Sequence, residues 1–187
     1  MQNSRTTRLV TAGVMIAAAT VLSMITIFRL PQGGGITAFS MLPIILMSFR
    51  FGPRWGMYTG LGYALIQIIL DLNTVMICPT LLSQIGCILL DYLLPFTLLG
   101  SASFFAQKFK NKTLGIAMGT GVVCAIRFLC SFLSGIVLWG AYAPAGTPVW
   151  IYSFLYNGSY MLPEALLTVF GAVLICRTAP QLFMQKA

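Results

Sequence analysis

Residues 113–139 read TLGIAMGTGVVCAIRFLCSFLSGIVLW, an apolar run interrupted by one charge, Arg127. At the helical rise of ~1.5 Å per residue, such a run crosses the ~30 Å hydrocarbon layer of a bilayer with residues to spare. It carries no polar face that would seat it on the surface of a soluble domain, so it predicts a transmembrane helix. Cutting the rest of the chain at charges, prolines and glycine clusters predicts six apolar segments in all, about 9–28, 36–49, 55–70, 81–106, 113–139 and 153–176. The second and third fall short of the ~20 residues that a perpendicular spanning helix needs, so tilting, a break or shielding by neighbours is expected of them.

Composition agrees. With 58% apolar and 7% charged residues, the chain lacks the polar groups to coat a water-facing surface. The expected fold class is therefore an all-α membrane protein of six transmembrane helices, one domain over residues 1–187, multi-pass in a cell membrane, with a bacterial plasma membrane the expected setting. Arg5 and Arg8 ahead of an apolar run imitate a secretory signal, but Leu9 to Phe28 is of spanning length and no small-residue cleavage site follows. It reads as a retained first helix.

A net charge of +8 would point to nucleic acid in a soluble protein. Here the charges sit in short clusters between apolar runs and act as topology signals. Placing both termini in the cytoplasm puts Arg5, Arg8, Arg50, Arg54, Lys108, Lys110, Lys112, Arg177 and Lys186 inside and only Arg29 outside, with Arg127 inside a span. The outer connections are then Arg29 to Gly35, Asp71 to Thr80 and Gly140 to Tyr152. They hold Pro31, Gly33 to Gly35, Pro79, Pro144, Gly146, Pro148 and Trp150 and almost no charge. They read either as loops shaped over a cavity or as simple turns.

Several chemistries are excluded. The chain has no histidine, and its cysteines (Cys78, Cys87, Cys124, Cys130, Cys176) are scattered without CxxC spacing, so no metal site, cofactor or disulfide framework is expected. No GxxxxGK loop is present, so any ATP-derived energy must come from partner subunits.

Three ionisable residues fall inside predicted spans: Asp91, Arg127 and Glu164. Facing lipid each would cost several kcal/mol, so all three are expected inside the bundle. Arg127 and Glu164 lie at similar depth on adjacent spans and are expected to pair as a structural clamp, leaving Asp91 for a cationic or proton-donating ligand. The alternative is one stabilising network of all three. Near Asp91 in depth come Tyr92, Ser131, Trp139, Tyr142, Trp150, Tyr152, Asn157 and Tyr160. Ser131, Gly135 and Trp139 are spaced to share one helical face, with a gap at the glycine that admits a flat ring. Aromatic walls with one carboxylate, one amide and one hydroxyl suit a small polar heteroaromatic ligand.

The stretch from Arg127 through Trp139 to Pro144, followed by Tyr152-Ser-Phe-Leu-Tyr-Asn157 and on to Glu164, resembles the thiamine-type S-components of energy-coupling factor transporters. Ser40-Met-Leu-Pro43, Phe51-Gly52, Asp91-Tyr92 and the small-residue first helix fit as well. The resemblance implies the substrate-binding subunit of an ABC-type vitamin importer, which works with a transmembrane coupling subunit and two cytoplasmic ATPases. It implies ligand contacts at Asp91, Tyr92, Trp139, Tyr152 and Asn157, with Ser131 in the same pocket. It also implies that a smooth strip at Gly13 and Ala17 docks on the coupling subunit, the alternative being a contact within the chain.

The sequence departs from that pattern in three places. Asp91 stands where the family's thiamine binders usually have glutamate, and Ser131 where they have histidine. Pro31-Gln-Gly-Gly-Gly35 offers no counterpart to the loop tryptophan that stacks on thiamine's cationic ring. The expected ligand is thiamine, with pyridoxine or a hydroxymethylpyrimidine as the alternative. An intramembrane aspartyl enzyme built on Asp91 and Glu164 is not expected, since no protease signature accompanies them. A proton-coupled secondary carrier fits less well, for want of an internal repeat.

Overall fold

The computed structural model describes residues 5–30 and 34–183, and is almost entirely helical. Pro31, Gln32 and Gly33 of the first predicted outer loop, and Lys186, lie outside the described residues. In chain order come α1 (Arg5–Met24), a hairpin of β1 (Thr26–Arg29) and β2 (Gly35–Thr37), α2 (Leu42–Phe51), α3 (Pro53–Leu70), α4 (Leu72–Ile77) and α5 (Leu81–Cys87). A π-helical turn (Ile88–Leu93) joins α5 to α6 (Leu94–Leu99), and α7 (Ala102–Ala106), α8 (Lys112–Val137) and α9 (Val149–Thr178) follow. Four helical stretches are long and apolar enough to cross a membrane: α1, the composite Leu81–Leu99, α8 and α9.

The segment predicted at 36–49 starts in a β-strand, and its helix begins only at Leu42, where Pro43 favours the first turn. The resulting ten-residue α2 is buried along most of its length, from Leu42 to Ile45 and again at Met47 to Phe49. A helix too short to span is thus shielded by its neighbours. The predicted 9–28 ends early because Thr26–Arg29 pairs with Gly35–Thr37. The predicted 81–106 breaks at Gly100 and Ser101. The predicted loop Gly140–Tyr152 is shorter than expected, with Trp150 and Tyr152 already in α9.

Two close approaches set the shape of the interior. Gly56 and Gly60 lie one turn apart on α3, and a Cβ at either would meet the backbone carbonyl of Gly100 or Phe96. Such small-residue spacing lets two backbones pack where lipid supplies no hydrophobic driving force between helices. On the other side, a Cβ at Gly135 of α8 would run into Ser153 of α9. Together these contacts bring α3, α6, α8 and α9 round a polar interior.

Candidate functional site

The wall that carries Asp91 owes its form to a proline. Pro95 has no N–H to give to the carbonyl of Asp91, and its ring crowds that carbonyl. Over Ile88–Leu93 the helix widens into a π-turn ahead of Pro95. Such turns occur often at functional sites. This one sets Asp91 and Tyr92 on the same cavity wall.

Asp91 is oriented by two donors that meet the same oxygen. Ser134 Oγ donates to Oδ2 at 2.6 Å and Trp139 Nε1 donates to it at 3.3 Å. Trp139 lies past the end of α8, not on its face as the spacing implied, because the helix stops at Val137. Its indole still reaches the cavity, which Ser131 and Gly135 line from α8.

From α9 come Tyr152, Tyr156 and Tyr160 at four-residue spacing. Their rings contact in sequence, at 5.6 Å between the first two and 6.3 Å between the second two. Asn157 sits behind this ladder with its amide engaged on both sides. Its Nδ2 donates to the Ser131 carbonyl at 3.2 Å and the Ser153 carbonyl at 3.0 Å, and its Oδ1 accepts from the Tyr160 hydroxyl at 3.0 Å. The side chain staples α9 to α8 and fixes the direction of Tyr160.

Asp91, Tyr92, Ser131, Trp139, Tyr152 and Asn157 all line one cavity of about 150 Å³. Tyr142 and Trp150, grouped with them on sequence grounds, are exposed and lie outside it. Sequence reasoning missed Asp71, Thr74, Phe96, Ser153 and Tyr156, which line the same cavity. It also missed Ser134, which holds Asp91 from behind. The four-residue tyrosine spacing was a usable signal for Tyr156.

A larger cavity of about 690 Å³ adjoins the first. The two share Gly34, Asp71, Thr74, Tyr92, Phe96 and Arg127 in their linings. Arg127 Nη1 lies 3.3 Å from Glu164 Oε2, with Glu164 only 2% exposed. Glu164 Oε1 also accepts from Thr37 Oγ1, and Thr37 bonds Ser40 at 2.7 Å. The guanidinium lies over the Phe96 ring at 4.9 Å. One ion pair thus ties α8 and α9 to the foot of the hairpin. Asp71 at the end of α3 is half-buried; burial holds its carboxyl above the ordinary range, and the Arg29 charge offsets only part of that rise.

Gly13 and Ala17 are both exposed on α1, and a Cβ at Gly13 would meet nothing within 4 Å. The strip faces away from the bundle. Among the described residues no cluster of side chains could hold a metal ion.

The profile of the family described as Thiamine transporter protein (Thia_YuaJ) matches residues 9–184. The chain belongs to this thiamine transporter family. It is 34% identical over 192 residues to the thiamine transporter ThiT of Bacillus subtilis, covering 97% of this chain and 96% of that protein. It is 28% identical over 171 residues to the thiamine transporter ThiT of Lacticaseibacillus paracasei, covering 84% and 83%. The fold matches that of ThiT from Listeria monocytogenes with a TM-score of 0.78 at 21% identity, over 97% of this chain and 99% of that one. This member of the thiamine transporter family is accordingly a multi-pass membrane protein.

Proposed function

We propose that the chain is the substrate-binding subunit of an energy-coupling factor importer, and that it captures thiamine from outside the cell in the cavity built round Asp91. The observation that carries this reading is the convergence of one oriented carboxylate, Asp91, with Trp139 and the tyrosine ladder on a single cavity. Aromatic faces take a flat ring, and a carboxylate takes the N–H donors at its edge. Membership of the thiamine transporter family supports thiamine over pyridoxine. So does the adjoining larger cavity, since thiamine has two rings and pyridoxine one.

In this reading the 187 residues form one domain that crosses the bilayer six times, with the shielded α2 and the part-exposed α3 as the second and third passes and both termini in the cytoplasm. The basic residues of the α2–α3 turn, Lys108 to Lys112 and Arg177 then share the inner side, and the cavity opens outward. Arg127 and Glu164 serve as a structural clamp rather than a ligand contact. The role is transport without catalysis, and a coupling subunit with two ATPases supplies the energy. The exposed Gly13 and Ala17 strip is the docking surface for that coupling subunit.

Mass spectrometry of the small molecule that co-purifies with the detergent-solubilised chain tests the substrate. Thiamine is expected, displaced by added thiamine and not by pyridoxine. Recovery of pyridoxine or a free pyrimidine would keep the transporter role and replace the substrate. Vesicle uptake tests the coupling: robust transport by this chain alone would reject the S-component assignment.

A further inference from the structure

The chain has three carboxylate side chains, Asp71, Asp91 and Glu164, against eleven basic residues. All three acids line the two adjoining cavities. Arg29 and Arg127 line the same space, which leaves one acid in excess there in an otherwise basic protein, a surplus that suits a cation. Two of the three have protein partners already described: Glu164 holds Arg127 and Thr37, and Asp91 is oriented by Ser134 and Trp139.

Asp71 is different. Its backbone is fixed where α3 turns into α4, since its N–H donates to the Gln67 carbonyl and its own carbonyl accepts from Thr74 N–H, both at 2.9 Å. Its side chain lines both cavities, at their seam. The facing charge is Arg29 from β1, but among the described residues the ion pair closed within 4 Å is that of Arg127 and Glu164. The Arg29 charge favours the ionised form of Asp71 against the effect of burial, without closing an ion pair on it.

We propose that Asp71 is the counter-charge for the fixed cation of the ligand. The aminopyrimidine of thiamine lies in the smaller cavity against Asp91, and its thiazolium reaches the seam, where Asp71 faces it. This rests on the thiamine reading above and gives its cation a partner. The stretch Pro31-Gln-Gly-Gly-Gly35 offers no aromatic face for a cationic ring. A carboxylate attracts the same charge directly, and more strongly in a partly desolvated site than in water.

The test is calorimetry on the purified full chain with two probes, thiamine and hydroxymethylpyrimidine, which lacks the thiazolium. Asp71→Asn keeps shape and removes charge, so the ratio of thiamine to pyrimidine affinity should fall about tenfold or more, the scale of one charge contact in a partly screened site. Asp71→Glu, which restores the charge, should recover most of that ratio. Asp91→Asn should weaken both probes together. An unchanged ratio in Asp71→Asn overturns the proposal, as does a loss in Asp71→Glu equal to that in Asp71→Asn. A wild-type chain that binds pyridoxine but not thiamine overturns the thiamine reading itself, a result separable from either of these.

Discussion

At the scale of single residues, the site turns on how Asp91 is held. Ser134 donates to Oδ2 from a fully buried position, so Ser134→Ala removes one of two charge-assisted hydrogen bonds and lets the carboxylate rotate. Hydrogen bonds to charged groups contribute ~1.5 to 3 kcal/mol, so thiamine affinity should fall roughly ten- to a hundredfold by calorimetry. Trp139 has two roles that substitutions can separate. Trp139→Phe keeps a stacking face and loses the N–H to Asp91, whereas Trp139→Ala loses both. If stacking on a nucleobase is a fair guide, the alanine variant should lose ~1 to 3 kcal/mol. Equal losses in the two variants would make Trp139 a hydrogen-bond donor alone. Asp91, Trp139 and Tyr152 were legible in the sequence because a carboxylate inside a span and rings at its outer end stand out from an apolar background. Ser134 was not, since a serine on an apolar helix has many uses and only its 2.6 Å contact reveals this one.

At the scale of elements, the π-turn is the part of the site most dependent on local chemistry. Pro95→Ala restores an N–H able to bond the carbonyl of Asp91 and favours a continuous α-helix through Leu99. That change of register would swing Asp91 and Tyr92 round the helix axis. The variant should melt at or above the wild-type temperature in detergent yet bind thiamine much more weakly; unaltered affinity would mean that tertiary contacts, not Pro95, hold the turn. The clamp of Arg127 and Glu164 behaves oppositely. Arg127→Met strands a buried carboxylate and should cost ~3 to 5 kcal/mol, read as a large drop in melting temperature, while adding Glu164→Gln should recover much of it. The expectation of a helix at 36–49 missed the hairpin, because Gly35–Thr37 pairs with Thr26–Arg29 of the preceding segment. Periodicity within a window cannot see such a partner. The fourth segment was found as one apolar stretch, while its π-turn needed Pro95 to be read four residues after Asp91.

At the scale of the whole molecule, four long helical stretches were legible from hydropathy, and the short α2 was legible only as an apolar run. What hydropathy could not give was the seam between two cavities. It depends on α3, the π-turn, α8 and the hairpin meeting, and Asp71 looked like a loop residue until they did. The docking proposal also belongs to this scale. Gly13→Leu or Ala17→Leu adds bulk to an exposed strip and should reduce vesicle uptake while leaving binding to the isolated chain nearly unchanged. Loss of both in parallel would reassign the strip to internal packing. The central claim is that this chain by itself forms a thiamine pocket, and the most direct measurement is a calorimetric titration of the purified chain, without coupling subunit or ATPases. The account predicts saturable binding of one thiamine per chain; no detectable binding under conditions where the chain remains helical and monodisperse would contradict it.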